Sequence, residues 1–534
     1  MPITPTYPGV YIEELENPVR TIVGVSTSVT AFIGRAKKGP TNDPTLVRNF
    51  GDFERTFGGL WKKSTMSYSV YQYFLNGGVD ALVIRVARSD ATKALFSNTS
   101  ELGLTFEAEN PGEWANTLRI FVDHDVNDDA SDKGDLFNVQ VKQLLVKGET
   151  ESEDKYVELE SFSNLSFRED HLRRVRKVLE EESKLVRVNT MSLTARPNAA
   201  KFSPPESDSA PDRGKDGSDI DEFDLEGSKA DPANKTGLYS LDKADIFNLL
   251  CIPPPKPDGT TARALYTRVY TAAAKYCKDK RAILIVDPPS NWVSSDSPRN
   301  ATLGIDAAGQ SGLGLTRSEN AAIYFPRIKA PDPLEEYRTR EFVPCGAIAG
   351  IIARTDAQRG VWKASAGIEA TMAGVPDLTV KLTDQENGDL NPLGINCLRT
   401  FPVTGRVVWG ARTMKGADRL ANQWKYLPVR RTALYIEESL YRGTQWAVFE
   451  PNDEPLWSQL RLNVGAFMHD LFLKGAFQGS TPKEAYIVKC DKETTTQTDI
   501  DRGIVNIVVG FAPLKPAEFV IIKIQQLAGQ TEVQ

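Results

Sequence analysis

Runs of continuously apolar residues, each stopped by glycine, proline or a polar turn, recur in two stretches of the chain. They predict strands buried on both faces of a sheet. Val29 to Gly34, Ala81 to Val86, Leu249 to Ile252, Ala282 to Asp287 and Ala321 to Pro326 are such runs. Helices are predicted between them. These are Asn49 to Phe57, stopped by Gly58-Gly59, then Met66 to Leu75, Thr260 to Lys278 and the alanine-rich Val343 to Gln358. Residues 29–99 and 241–400 therefore read as one α/β core domain interrupted by an insertion.

The insertion, residues 100–240, has a different rhythm. Phe106 to Ala115, Leu118 to Val122 and Phe137 to Leu145 suit β hairpins. Arg168 to Leu185 suits an amphipathic helix with Leu172, Val175 and Leu179 on successive turns. The Pro/Ser/Gly/Asp tract 203–236 lacks the apolar content to order itself. A β-rich, surface-exposed domain ending in a flexible acidic loop is expected.

Residues 1–28 read as an extended arm, because Pro2, Pro5, Pro8 and Pro18 exclude a helix. Val10 to Ile12 and Val19 to Val25 have the composition of short strands. Residues 401–534 alternate strand and helix: strand Val407 to Gly410, helix Arg430 to Tyr441 ended by Gly443, and helix Pro455 to Lys474. That last helix is predicted to be capped by Asn452, with Leu456, Leu460, Val464, Phe467 and Leu471 as its apolar stripe. Ile504 to Phe511 and Glu518 to Gln526 are the predicted closing strands. The apolar strands at the two chain ends are not easily paired with one another in a single body.

At 534 residues, 40% apolar, the chain can bury large cores without a disulfide or metal. Its net charge of −7 is concentrated in residues 205–226, where nine acidic side chains face two basic ones. No basic stripe stands out, which argues against direct nucleic-acid binding. Cys251, Cys277, Cys345, Cys397 and Cys490 are scattered, as expected of reduced thiols in a cytoplasmic product. The first residues do not read as a signal peptide, and no apolar run approaches the ~20 residues of a membrane span. Cytoplasmic assembly without membrane insertion is expected, with any later role following lysis or incorporation into a particle.

Candidate chemistry is thin. His124 (between Asp123 and Asp125), His171 and His469 are the three histidines, and none has metal-ligand spacing. Gly24 to Ser28 lacks the second glycine of a nucleophile elbow, and Gly312 to Arg317 lacks the third of a dinucleotide loop. Asp287 ends a strand, where α/β enzymes often place an acid, yet Pro288-Pro289 favours a simple turn. No catalytic, cofactor-binding or metal residue is assigned. A structural protein is expected rather than an enzyme.

Tyr426 to Glu438, continued by Gln445 to Asn452, resembles the contractile tail sheath protein family. Asn396 to Arg399, Val408 to Thr413 and Pro516 to Phe519 are similar to it, as are Tyr7 to Glu14, Gly24 to Ser28 and Gly34 to Pro40. The pieces follow the family's order and leave only about 100–240 uncovered. The resemblance implies a sheath subunit of a bacteriophage tail or of a phage tail-like contractile injection system. Such subunits stack as six-fold rings, a helical homo-oligomer around an inner tube protein. Contraction then drives the tube through a target envelope. Baseplate proteins, terminal cap proteins and sister sheath proteins are the further partners it implies.

It also implies a multidomain α/β (mixed α+β) fold whose C-terminal domain, 401–534, is a meshwork of exchanged terminal strands. On that reading Val19, Ile22, Val23, Ile507, Val509, Phe519, Ile521 and Ile522 are the linkage positions. Helix 455–474 is the tube-facing element, with Arg461 and Lys474 as its contacts. Two other classes stay open on the residues alone: an α/β enzyme such as a hydrolase, and a different homopolymer such as an adhesive or scaffold protein.

Overall fold

The computed structural model describes residues 20–522, apart from 102, 127–132, 149–152, 209, 257 and 298–312. Val19, the rest of the N-terminal arm, Gly312 and residues 523–526 of the last predicted strand lie outside the described residues.

The chain is mixed α+β and divides into two compact units. One comprises Thr27–Arg354 and Ser365–Asn422. The other comprises residues up to Ser26, Thr355–Ala364 and residues from Gln423 onward.

The larger unit is built on an eight-stranded sheet. Its spatial order is Gly405–Val408, Ile395–Phe401, Ala321–Phe325, Ile283–Val286, Leu249–Cys251, Thr30–Gly34, Ala81–Arg85 and Thr45–Val47. The six central strands run parallel, and each edge strand pairs antiparallel. Five of the central strands are the apolar runs seen in the sequence. The sixth, Ile395–Phe401, carries Asn396 in a buried position. Its amide donates to the Ile323 and Arg412 carbonyls at 3.1 and 2.8 Å and accepts the Arg412 N–H at 2.7 Å. A fully paired amide is tolerated in a core, and it hides the strand from a hydrophobicity pattern.

Helices cover the sheet. Phe50–Phe57 is capped by Asn49, whose side chain accepts the Asp52 N–H, and ends at Gly58 in the left-handed region (φ 87°). Cys345–Arg359 approaches helix Thr65–Leu75 so closely that side chains at two of its positions would collide with backbone. A β-carbon on Gly346 would lie 2.0 Å from the Ser69 carbonyl oxygen, and one on Gly350 would lie 2.4 Å from that of Tyr73. The helix predicted from Thr260 instead starts with a π-helical turn, Leu265–Tyr270, which passes into α-helix Thr271–Asp279.

Within this unit, a second apolar cluster including Phe96, Phe106, Phe137, Leu179 and Phe202 fills the space between two antiparallel sheets. The predicted helix Arg168 to Leu185 is shorter, Val175–Glu182. Leu172 is exposed, so the apolar stripe begins only at Val175. Lys155–Ser166, a 12-residue edge strand, was not foreseen, because it exposes Val157 and Leu159 among charged residues. Three register shifts break its pairing with Leu136–Val146, and irregularity with charge discourages edge-to-edge association.

The acidic tract also differs from the flexible loop expected of it. Arg35, nearly buried, holds the Asp219 carboxylate at 2.6 Å and the Asp216 and Gly217 carbonyls at 3.2 and 2.9 Å. The Asp216 carboxylate accepts the Glu113 N–H at 2.9 Å and pairs with Lys63 at 3.2 Å. Ion pairs and backbone contacts place residues whose own apolar content is too low to do so.

Candidate subunit-linking site

The smaller unit is organised by two helices. Leu427–Gly443 begins before the predicted Arg430 because Pro428 is compatible with a first helical turn. Glu454–Leu473 carries the expected stripe: Leu456, Leu460, Val464, Phe467 and Leu471 are all buried. Asn452 is not its cap. Asp453 occupies the cap position, while the Asn452 side chain accepts the Trp457 indole N–H at 2.9 Å and donates to the Ile504 carbonyl at 3.0 Å. Asn452 therefore fastens the loop before the helix to the segment before the last strand.

The beginning of the described chain lies along these helices as an extended segment, and no strand among the described residues pairs with it. The Arg20 N–H donates to Asn463 Oδ1 at 3.0 Å and the Val25 N–H to Ser439 Oγ at 3.2 Å. The Arg20 guanidinium sits 4.5 Å from the Trp446 ring centroid. Ile22 is buried with Ile436, Val464 and Phe467, whereas the adjacent Val23 is 78% exposed. Alternation along an extended backbone turns one side chain into an anchor and leaves the next facing outward.

At the other end, Val508–Phe511 pairs antiparallel with Tyr486–Lys489. This sheet has two strands, with no third among the described residues. Val509 and Phe511 pack inward with Tyr486 and Val488, and Ile507 packs on the Leu456/Trp457/Leu460 cluster. Ile487 and Val508 are about half exposed on the outer side. The chain then passes Glu518, whose carboxylate accepts the Tyr426 hydroxyl at 3.1 Å and lies 3.9 Å from the Lys425 ammonium. Beyond it Phe519, Val520, Ile521 and Ile522 are 72, 81, 81 and 80% exposed, and they form no strand.

The named linkage positions other than Val19, which lies outside the described residues, thus fall into two groups. Ile22, Ile507 and Val509 pack within their own unit, while Val23, Phe519, Ile521 and Ile522 stand out from it. Val520, 81% exposed, belongs with the second group although it is not among the named positions. Arg461 and Lys474 both have partners within the unit. Arg461 donates to the Cys490 carbonyl and pairs with Glu454 at 2.5 Å, and Lys474 pairs with Asp470 at 2.7 Å.

The residues weighed for chemistry are distributed differently. His124 Nε2 lies 2.9 Å from the Pro197 carbonyl, and Asp123 is engaged by Asn138 at 2.7 Å. No group of three potential metal ligands occurs among the described residues. Asp287 is fully buried; its Oδ1 accepts the N–H of Cys345, the first residue of helix Cys345–Arg359, at 2.9 Å. Burial pushes its carboxyl up to about 7. No helix among the described residues is long and apolar enough to cross a membrane.

Residues 236–414 match the phage tail sheath protein central domain and residues 421–526 match the phage tail sheath C-terminal domain, together just over half of the sequence. The chain belongs to the contractile tail sheath family. The sheath subunit also shares its fold with solved structures over nearly its whole length. One is the PVC sheath complex of an extracellular contractile injection system in the contracted state, with 21% identity, 98% of each chain covered and a TM-score of 0.56. Another is the helical sheath of the anti-feeding prophage in the contracted state, with 23% identity, 98% of this chain and 100% of that one covered, and a TM-score of 0.56. A third is a sheath tail protein from Listeria innocua, with 14% identity, 92 and 96% coverage and a TM-score of 0.59. No curated protein sequence matches the sheath subunit significantly.

Proposed function

We propose that this sheath subunit polymerises as stacked six-fold rings around an inner tube, and that contraction of the polymer drives the tube through a target envelope. The observation that carries the reading is the pair of unmatched elements in the C-terminal unit. Phe519 to Ile522 is an exposed apolar segment without a strand partner among the described residues, and the hairpin Tyr486–Lys489/Val508–Phe511 is a two-stranded sheet there that further strands can extend. A strand from one copy added to the hairpin of another satisfies both.

Val19, Val23, Phe519, Ile521 and Ile522 are the donated positions on this reading, and Ile22, Ile507 and Val509 hold the roots and the receiving hairpin. A donated strand making about six backbone hydrogen bonds, each worth ~1 kcal/mol net, gains on the order of 6 kcal/mol before apolar burial. Joints of this kind keep neighbours tied while their bodies move between two packings, which is the requirement of a shortening lattice. Residues 401–534 form the meshwork, 29–99 with 241–400 the body, and 100–240 the outer surface. Arg461 and Lys474 are retained as tube-contact candidates. Baseplate and terminal cap proteins are the partners at the polymer's ends, and the particle assembles in the cytoplasm.

Electron microscopy of the purified chain tests this directly. Ribbed hollow cylinders are expected, and replacing Ile521 and Ile522 with proline should leave a folded monomer that no longer assembles. Cylinders of normal length from that variant would refute strand donation.

A further inference from the structure

Loop 444–452 separates its apolar residues sharply. Trp446 and Ala447 pack inward on the cluster of Leu456, Trp457, Leu460 and Cys490. Val448 and Phe449 point outward, 64 and 103% exposed. Phe449 is also held at φ 69°, in the left-handed region that a bulky side chain rarely occupies.

The loop is fastened on both sides of this residue. A 3-10 turn, Gln445–Ala447, precedes it, with the Ala447 N–H donating to Thr444 and the Val448 N–H to Gln445. The Glu450 N–H reaches back to the Ala447 carbonyl at 3.3 Å. Asn452 follows, tied to Trp457 and Ile504, and the Arg20 guanidinium stacks over the Trp446 ring. The tip is thus braced on both sides, strained and apolar. Strain at a non-glycine residue persists where its surroundings over-determine it, and such residues gather at functional sites. In the isolated subunit the Phe449 ring gains nothing from this placement, since it touches water on every side.

We propose that Val448 and Phe449 form a preformed plug that inserts into a second copy of this chain in the assembled sheath. This rests on the polymerisation proposed above, which makes another copy the surface present at high local concentration. The two side chains are too small an area to bind alone, so the plug acts beside the exchanged strands and sets how neighbours seat against each other. Presenting the ring on a braced loop removes the ordering cost that a flexible tip would incur on docking.

The fold and the assembly respond to this residue with opposite signs. Phe449→Gly and Phe449→Asn both accept the left-handed backbone and delete the ring. Each should raise the melting temperature of the unassembled full-length chain by roughly 1–3 °C. Each should also raise the concentration needed for sheath formation by about tenfold or more, as expected for loss of a buried aromatic anchor. Benzoylphenylalanine incorporated at position 449 should give covalent dimers on irradiating sheaths of the pure chain. Variants that assemble like the wild type, or photolabelling confined to a single chain, would overturn the plug and leave the sheath reading standing. A wild-type chain that forms no polymer would overturn both.

Discussion

Gly24 lies so close to the Tyr435 hydroxyl that a β-carbon built on it would sit 1.9 Å from that oxygen. The Tyr435 ring is itself packed with Ile22, Val464 and Phe467, and burial raises its phenol above the ordinary value. The arm's path over the two helices therefore depends on a missing side chain.

Gly24→Ala should destabilise the subunit by about 1–3 kcal/mol, the usual cost of overpacking. Adding Tyr435→Phe removes the colliding hydroxyl and should restore part of the loss. Thermal unfolding of the single and double variants checks this. Equal melting temperatures for Gly24→Ala and wild type would mean that the arm does not follow this track.

Arg431 and Asp356 form a buried ion pair with bonds of 2.8 and 2.5 Å, their side chains 5 and 3% exposed. Arg431→Ala leaves a carboxylate buried without its partner and should cost ~3–5 kcal/mol. The apolar double variant Arg431→Met/Asp356→Leu should recover most of it, since desolvation of both charges is avoided. Urea unfolding of the two variants distinguishes a pair that stabilises from one that is merely costly to break.

Asp287 carries a carboxyl raised from the ordinary range to about 7 by burial. The folded chain then binds a proton that the unfolded chain releases near pH 4. The stabilisation is complete below that pH and is lost as pH rises through about 7. Other carboxylates titrate over the same range, so the readout is the difference from Asp287→Asn, which cannot ionise but still offers an oxygen to the Cys345 N–H. Wild type should lose stability relative to this variant between pH 4 and 7. A constant difference would place the Asp287 carboxyl in the ordinary range.

Arg461 and Lys474 separate structural from tube-binding roles. Arg461→Ala strips the Cys490 carbonyl and Glu454 of a partner and should cost about 1–2 kcal/mol. Lys474→Ala breaks a pair whose members are both more than half exposed and should change stability by less than ~0.5 kcal/mol. If both touch the tube, both variants should reduce sheath assembly on purified tubes. A loss with Arg461→Ala alone would assign that residue to holding its own unit together.

The parallel core was legible because each strand is covered on both faces and therefore continuously apolar. Ala31, Phe32, Ile33, Leu284 and Ile323 follow that rule without exception. Ile395–Phe401 was legible only as a resemblance, since Asn396 and Arg399 mask its burial. Edge strand Lys155–Ser166 escaped because one exposed face carries both charge and apolar residues. The Asn452 cap was misread because a side chain favoured at helix starts serves equally to bridge a loop to distant atoms. The candidate linkage positions are apolar residues near the chain ends, and apolar character alone does not separate buried Ile22 from outward Val23. Phe449 lies in the family-like stretch Gln445 to Asn452, yet its exposure and backbone angle had no sequence signal, because they are properties of a braced loop.

Density for the assembled polymer, followed along the chain past Glu518, tests the account most directly. The segment that starts at Phe519 should leave its parent subunit and run as a further strand beside the Tyr486–Lys489/Val508–Phe511 hairpin of a neighbour. Density showing that segment folded onto its own hairpin, with no backbone hydrogen bond to another copy, would contradict it.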